Sequence, residues 1–278
     1  MLNVVAIIVT HNPDLNRFRL VLNSLIGEVD SIVIVDNASQ NINSIMELCT
    51  QISNCEVVRL QFNSGVAYAL MKGVNYAVKK YKPDWLLFLD DDTIIMRNAV
   101  KKALSIYRSL PKLIKDKVGL IKFRSEDGDC NIYNTFYEAF SGTLIKSEIA
   151  MKTCCRTDFF LDQADNDLYF KVRKMGLLTL QIKCRLIDHR LGIKVYMPLL
   201  RRIVSYEPPW RYYYIVRNST ILLREGALDP VNYLLQLINY GLLILLRDNI
   251  KGFLKPLGLG FMHALLNQSG YLDKKYFS

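Results

Sequence analysis

Four short apolar runs set the rhythm of the N-terminal part of the chain: Val4–Val9, Ile32–Val35, Val57–Leu60 and Trp85–Leu89. Each is continuous rather than alternating, as expected of a parallel strand covered on both faces. Between them Leu15–Ile26 reads as a helix. So does Val66–Lys80, where Ala67, Leu70, Met71, Val74, Ala77 and Val78 form one apolar stripe. This βαβα order predicts an α/β fold, a doubly wound, mostly parallel sheet flanked by helices. Further on, Val118–Phe123 predicts a strand and Asp127-Gly128-Asp129 a turn. Phe136–Ile145 predicts an extended segment broken at Ser141-Gly142, and Asn166–Met175 a helix ending at Gly176.

The tail has another pattern. Pro230 precedes Val231–Leu246, which is almost uniformly apolar except for Asn232, Gln236 and Asn239 on one narrow stripe. The run is short of the ~20 residues that a spanning helix needs. A second apolar stretch, Gly252–Leu266, is interrupted by Lys255-Pro256 and by glycines. The expectation is two helices lying in a membrane interface, with Arg247, Lys251, Lys255, Lys274 and Lys275 facing headgroups. A helical hairpin packed on the rest of the chain or on a second subunit is the alternative.

Charge sharpens this division. Residues 1–170 hold 19 Lys and Arg against 20 Asp and Glu, whereas residues 171–278 hold 17 against 6, so the net charge of +10 resides in the C-terminal part. A basic, apolar end points to an anionic partner. Its basic residues are interleaved with aliphatic runs rather than gathered into a patch, which favours a membrane surface over nucleic acid. The start of the chain shows no basic leader or small-residue cleavage site, so no signal peptide is expected. The six cysteines include no Cys-x-x-Cys pair and are expected to be reduced thiols of a cytoplasmic protein, without a zinc site.

The chemistry is expected beyond the carboxyl ends of the strands, where open parallel sheets bind ligands. Thr10-His11-Asn12, Asp36-Asn37-Ala38-Ser39, Asn63-Ser64-Gly65 and Asp90-Asp91-Asp92 follow the four runs in turn. Three adjacent carboxylates repel one another unless a cation neutralises them. Hard divalent ions such as Mg²⁺ or Mn²⁺ take such oxygen ligands together with substrate phosphates. A solvated acidic turn is the bland alternative.

With these residues in place, the chain resembles the family-2 inverting glycosyltransferases of the GT-A (Rossmann-like) fold, and within them the rhamnosyltransferase-like branch. The matching motifs run in order from Ile8-Val9-Thr10-His11-Asn12-Pro13, Val33–Ser39, Asn63–Ala67 and Leu89–Thr93 to Ser141–Ile145, Phe160–Asp167, His189-Arg190-Leu191-Gly192, and Arg211–Tyr214 with Arg217-Asn218. The resemblance implies a catalytic domain over residues 1–228, with a nucleotide-donor half (1–125) and an acceptor half (126–228). Residues 229–278 would form an amphipathic helical, membrane-associating appendage. It implies that Thr10 and Asn12 line the nucleotide pocket, that Asp36 bonds the pyrimidine base, and that Asn63 and Gly65 let the backbone approach the donor. Asp90 would contact ribose or metal, Asp91 and Gly142 would belong to the donor site, and Asp92 and His189 would ligate the metal. Arg211 and Arg217 would reach the diphosphate. Asp165 would be the catalytic base, although carboxylates also suit a helix start as caps. The chain departs from the family in having His11 where Tyr is common, Ala164 where many members have a second acid, and Lys171 where Arg is usual.

The implied activity is transfer of a rhamnose-like or galactofuranose-like sugar from a dTDP- or UDP-linked donor to a lipid-linked or glycan acceptor. It would use Mn²⁺ or Mg²⁺ at the cytoplasmic face of the cell membrane, with a homo-oligomer left open. A sugar-1-phosphate nucleotidyltransferase would want a Gly-rich, basic loop after the first strand, which Thr10–Pro13 does not supply. A membrane-surface scaffold with an inactive fold would not need acids at positions 90, 92 and 165.

Overall fold

The computed structural model describes residues 2–189, 192–197, 202–248 and 250–277. Arg190 and Leu191 of one family-like motif lie outside them. The chain divides into two compact units, residues 1–156 with 168–189, and residues 157–167 with 190–278.

The first unit opens with β1 (Val4–Thr10), α1 (Leu15–Leu25), β2 (Ser31–Asp36), α2 (Ile42–Thr50), β3 (Cys55–Arg59), α3 (Val66–Tyr81) and β4 (Trp85–Asp90). There follow β5 (Ile94–Ile95), α4 (Ala99–Ser109), α5 (Lys112–Lys115), β6 (Val118–Arg124), β7 (Ile132–Asn134), β8 (Thr143–Lys146) and α6 (Ser147–Thr153). Next come α7 (Ala164–Lys174), whose residues up to Asp167 are counted with the second unit, β9 (Leu178–Arg185) and β10 (Ile187–Asp188). The main sheet has the order β3-β2-β1-β4-β8-β6-β9-β7. β1 runs parallel to β2 and β4, and β2 to β3. β8 is antiparallel to both β4 and β6, and β6 is parallel to β9. The mostly parallel α/β sheet expected from the pattern is therefore present.

The sequence explains these elements. Val5, Ala6, Ile7 and Ile8 are wholly buried, as are Leu86, Leu87 and Phe88, because helices cover both faces of the central strands. α1 starts where the Asp14 carboxylate accepts from the amides of Asn16 and Arg17, a side-chain cap. α3 lies close on the sheet because residue 73 is glycine: a Cβ there would stand 2.5 Å from Ile7 Cγ2 and 2.8 Å from Val35 Cγ2. The hydrophobic pattern predicts α1 and α3 but not α2 or α4. Those two are short amphipathic helices whose apolar positions gain meaning only against the sheet.

The cysteine expectation is not met. Cys49 and Cys55 bond at a Cα–Cα distance of 5.4 Å, and Cys130 and Cys184 at 4.7 Å; Cys154 and Cys155 are also joined. The turn from α2 into β3 brings the first pair together. The second pair meets although 54 positions separate it in sequence, a proximity that spacing alone does not reveal.

The second unit contains the antiparallel pair β11 (Ile193–Met197) and β12 (Arg202–Tyr206). Its helices are α8 (Pro209–Arg224), α9 (Pro230–Arg247) and α10 (Ile250–Leu265), followed by a 3-10 turn over Lys274–Phe277. α8 is buried on all sides from Tyr212 to Leu222. α10 continues through Pro256, where the sequence suggests an interruption. Its packing on α8 outweighs the missing amide bond: a Cβ at Gly260 would stand 2.7 Å from Val216 Cγ1, so the glycine permits close approach. Among the described residues no helix is long and apolar enough to cross a membrane.

Candidate active site

The acidic triplet begins on the last residue of β4 and turns away from the sheet. The short ladder of β5 with β10, pairing Ile94 with Asp188 and Ile95 with Ile187, brings His189 beside it. Ligand atoms of Asp90, Asp92 and His189 lie within 4.8 Å of one another. Oxygen and nitrogen ligands about 2.1 Å from one ion stand at most about 4.2 Å apart, so small side-chain rotations close the set around a divalent cation. The donor set fits Mn²⁺ or Mg²⁺ better than a soft metal, since it offers carboxylates and one imidazole but no thiolate.

Buried groups hold this cluster in place. Arg17, on the core-facing stripe of α1, donates from Nε to the Asp92 carbonyl at 2.8 Å. It also donates from Nη2 to the Asp188 carbonyl at 2.8 Å and to the Asp188 carboxylate at 3.1 Å. One guanidinium thus ties together the two segments that carry Asp92 and His189. Thr93 and Ser141 are almost wholly buried. The Asp90 amide donates to Ser141 Oγ at 2.9 Å, Ser141 Oγ lies 2.7 Å from Thr93 Oγ1, and Thr93 Oγ1 lies 2.6 Å from His189 Nδ1. If His189 Nδ1–H and the Ser141 hydroxyl both donate to Thr93 Oγ1, the Thr93 proton points to Asp92 Oδ1 at 3.4 Å. His189 Nε2 then keeps a lone pair for a metal ion. Lys122, 5% exposed, donates to the Ala139 carbonyl at 2.8 Å and to that of Ser141, which braces the same loop from below.

The sequence signals for these supports are uneven. Arg17 stands out as a charge among Phe18, Val21, Leu22 and Leu25 on a buried face. Thr93 and Ser141 stand inside recognisable motifs, but their coupling spans 48 residues and needs the fold.

The other expected donor-site residues form a linked rim at the ends of β1 and β2. Thr10 Oγ1 donates to Asp36 Oδ1 at 3.3 Å, and the Ser39 amide donates to the same carboxylate. Asp36 is fully buried, so these bonds fix its orientation. The Asn12 amide donates to Ser39 Oγ at 2.9 Å while Asn12 Oδ1 accepts from the Gln40 amide at 2.7 Å. Asn63 Oδ1 accepts from Asn37 Nδ2 at 2.9 Å and from the Gly65 amide at 3.1 Å. Asn37, which carries no individual role in the sequence reading, also accepts from the Ser64 amide at 2.8 Å and so couples the second and third strand ends. Gly142 bridges β4 and β6: its amide donates to the Phe88 carbonyl and its own carbonyl accepts from the Phe123 amide, both at 2.8 Å. Its φ of +80° suits glycine, and a Cβ would stand 2.8 Å from Ile187 Cδ1.

Electrostatics mark the triplet as unusual. Burial, with Asp90 and then Asp92 nearby, pushes the Asp91 carboxyl up to about 7, against the opposing bond from the His11 amide. Burial disfavours the imidazolium of His189, but its bond with Asp92 and the charges of Asp90 and Asp92 outweigh that, so its pKa is raised. A bound cation reverses this balance by favouring carboxylates and neutral imidazole.

Asp165, Arg211 and Arg217 belong to the second unit. Asp165 lies in the first turn of α7, where its Oδ1 accepts from the Asn166 amide at 2.8 Å. Arg211 grips Asp162 through Nε and Nη2 at 2.9–3.1 Å and reaches Glu207 from Nη1 at 2.8 Å. Burial alone would lower the Arg211 pKa, but these two carboxylates raise it. Arg217 is 1% exposed and donates to Asn218 Oδ1, the Tyr213 hydroxyl and the Gly270 carbonyl, so it organises the packing of its own unit.

Comparison with known proteins agrees with this architecture. A family model described as "Glycosyl transferase family 2" matches residues 5–119, from β1 into β6. The dTDP-rhamnosyl transferase RfbF of Shigella flexneri is 24% identical over 243 residues, covering 81% of each chain. The mannosyltransferase PcManGT from Pyrobaculum calidifontis, solved with GDP-Man and Mn2+, superimposes with a TM-score of 0.59 at 16% identity, over 95% of this chain and 75% of that one. GalNAc-T7, solved with UDP, GalNAc and Mn2+, gives a TM-score of 0.56 at 14% identity over 68% of this chain, which spans only 44% of that protein. The resemblance drawn from the motifs is borne out. The chain is a glycosyltransferase with a GT-A-like fold, similar to the family-2 enzymes and their rhamnosyltransferase-like branch.

Proposed function

We propose that this glycosyltransferase transfers a rhamnose-like or galactofuranose-like residue, with inversion, from a dTDP- or UDP-linked donor to a lipid-linked or polysaccharide acceptor. The observation that carries the reading is the convergence of Asp90, Asp92 and His189 at the strand ends. The rhamnosyl relative and the Mn2+-containing neighbours support it.

In this reading Asp36 bonds the base of the donor, Thr10, Asn12 and Asn63 wall the nucleotide, and the Gly65 and Gly142 backbones allow its close approach. Asp90 and Asp91 complete the donor site; the diphosphate contact that the resemblance implies for Arg211 and Arg217 is not carried into this reading, since Arg217 is 1% exposed and both are bonded within the second unit. Asp90, Asp92 and His189 hold Mn²⁺ or Mg²⁺, which when bound neutralises charge on the departing nucleoside diphosphate. Asp165 takes the proton of the acceptor hydroxyl. The acceptor oxygen bonds to the anomeric carbon as the bond from that carbon to the diphosphate oxygen breaks, and the nucleoside diphosphate departs. The second unit rests on the cytoplasmic face of the membrane through α9 and α10.

A thermal-shift screen of nucleotide-sugars with and without Mn²⁺ identifies the donor, because a ligand that binds the folded state raises its stability by mass action. Transfer is then measured for Asp92→Ala and Asp165→Asn. Undiminished transfer by the first rules out the metal role, and near-normal transfer by the second rules out Asp165 as base.

A further inference from the structure

α9 is apolar along most of its length, yet Gln236 of its narrow polar stripe is half-buried rather than turned fully to solvent. Its Oε1 accepts from Gln163 Nε2 at 2.8 Å, and Gln163 Oε1 in turn accepts from Asn166 Nδ2 at 2.7 Å. The Asn166 amide donates to Asp165 Oδ1 at 2.8 Å. One chain of bonds therefore runs from α9 to the carboxylate at the start of α7, entirely within the second unit. Gln163 is 8% and Asn166 9% exposed, so an amide left there without its partner is costly.

The segment these bonds hold has a strained backbone. Asp162 and Gln163 both adopt positive φ, +58° and +69°, although neither is glycine. Such a pair persists only where its surroundings over-determine it, and strain of this kind gathers at functional sites. Here α8 fixes one side: Asn218 Nδ2 donates to the Leu161 and Asp162 carbonyls at 2.7 and 3.0 Å, and Arg211 holds the Asp162 carboxylate. Gln236 fixes the other. Gln163 also opens α7, its carbonyl accepting from the Asp167 amide at 3.1 Å. α9 is itself seated on α8, with the Tyr212 hydroxyl donating to the Leu237 carbonyl at 3.0 Å and the Thr220 and Tyr233 hydroxyls 3.0 Å apart. One turn beyond Gln236 on the same face stands Tyr240. Its pKa is raised by burial first and then by the charges of Asp162, Glu207 and Asp165, against the opposing charge of Arg211. That face of α9 therefore looks onto the acids around Asp165.

We propose that Gln236 and Gln163 are positioning residues, through which α9 sets the direction of the Asp165 carboxylate. This rests on the reading of Asp165 as the base. In this role neither glutamine touches substrate; each acts through Asn166, whose amide holds Asp165 Oδ1. A general base must stand within reach of the proton it takes before its basicity counts, so a carboxylate free to turn slows transfer more than it weakens donor binding. The polar stripe of α9 then serves the reaction, whatever its apolar face meets.

The test compares the full chain with Gln236→Leu, which suits an apolar helix and leaves the Gln163 amide without its acceptor. Hydrogen exchange followed by NMR in the ligand-free protein is expected to show the Asn166 and Asp167 amides exchanging at least fivefold faster, with the amides of α8 unchanged. Gln236→Glu, which keeps an acceptor of the same length, is expected to restore their protection to within twofold. Turnover is read with Mn²⁺ as nucleoside diphosphate released from dTDP-rhamnose or UDP-galactofuranose, whichever the parent chain consumes. For Gln236→Leu kcat is expected to fall at least tenfold, with KM for the donor within twofold and the nucleotide-sugar thermal shift unchanged. Exchange at Asn166 and Asp167 within twofold of the parent overturns the proposal, as does an unchanged kcat or a loss confined to KM. Near-normal turnover by Asp165→Asn refutes the base reading itself. Turnover lost in Asp165→Asn but kept in Gln236→Leu leaves the base in place and removes only the positioning role.

Discussion

Thr93→Val tests the support of the metal cluster with almost no change in side-chain volume. The hydroxyl it removes is wholly buried and stands 2.7 Å from Ser141 Oγ and 2.6 Å from His189 Nδ1. Valine leaves both groups without that partner, and each orphaned buried group costs about 1–3 kcal/mol. Ser141 still accepts the Asp90 amide and His189 Nδ1 still lies 3.1 Å from Asp92 Oδ1, so the lower end of that range applies to each. Part of the loss falls on metal binding, because the imidazole is no longer held for coordination; removing such outer partners costs about 10–100-fold in metal affinity. The expected result is Mn²⁺ affinity at least tenfold weaker by calorimetry and a melting temperature several degrees lower, with Thr93→Ser restoring both. Thr93→Val binding Mn²⁺ within twofold of the parent chain would refute the positioning argument, since the fold and the three ligands would have sufficed.

Other outcomes follow from single contacts. Arg17→Leu keeps the apolar packing of α1 but frees the Asp92 and Asp188 carbonyls; Mn²⁺ binding should weaken more than tenfold while donor-free secondary structure by circular dichroism persists. Gly73→Ala should cost about 1–3 kcal/mol in denaturant unfolding, because its Cβ meets Ile7 and Val35 in a close-packed layer; a change below about 0.5 kcal/mol would mean that α3 shifts freely. Arg211→Ala leaves Asp162 and Glu207 facing each other at 13% side-chain exposure and should destabilise the chain by about 2–3 kcal/mol, measured by urea unfolding. Glu56 accepts from Lys80 and Tyr76, which hold its pKa below the usual 4.5. Its contribution is therefore present above the unfolded value and lost as pH falls through the lowered folded one, so the melting-temperature difference between Glu56→Gln and the parent should narrow steadily as pH is lowered below the ordinary carboxylate range.

Much of the sheet was legible because burial on both faces writes itself into sequence as continuous apolar runs. Val4–Val9 and Trp85–Leu89 are such runs, and both strands are observed one residue longer, ending on Thr10 and Asp90. Polar residues directly after such runs mark where a parallel sheet exposes its ligand-binding edge, so Asp36, Asn63 and Asp90–Asp92 stand out in the sequence itself. The strand order explains why they converge: β1 lies between β2 and β4, and their carboxyl ends point the same way.

What depended on contacts between distant segments was not legible. The β5–β10 ladder sets His189 beside Asp92 across 97 positions; the family resemblance names His189 as a ligand, but nothing local to residue 189 encodes that ladder. Arg17, Thr93, Ser141 and Lys122 gain their meaning from partners up to 171 residues away. The cysteine pairs and the continuity of α10 through Pro256 likewise exist only once helices and strands pack. Local pattern records how each residue meets solvent, and that determined the strands, the main helices and the acidic rim. Which groups touch across the chain is set by tertiary packing, and that alone decided how the rim is braced into a metal-binding geometry.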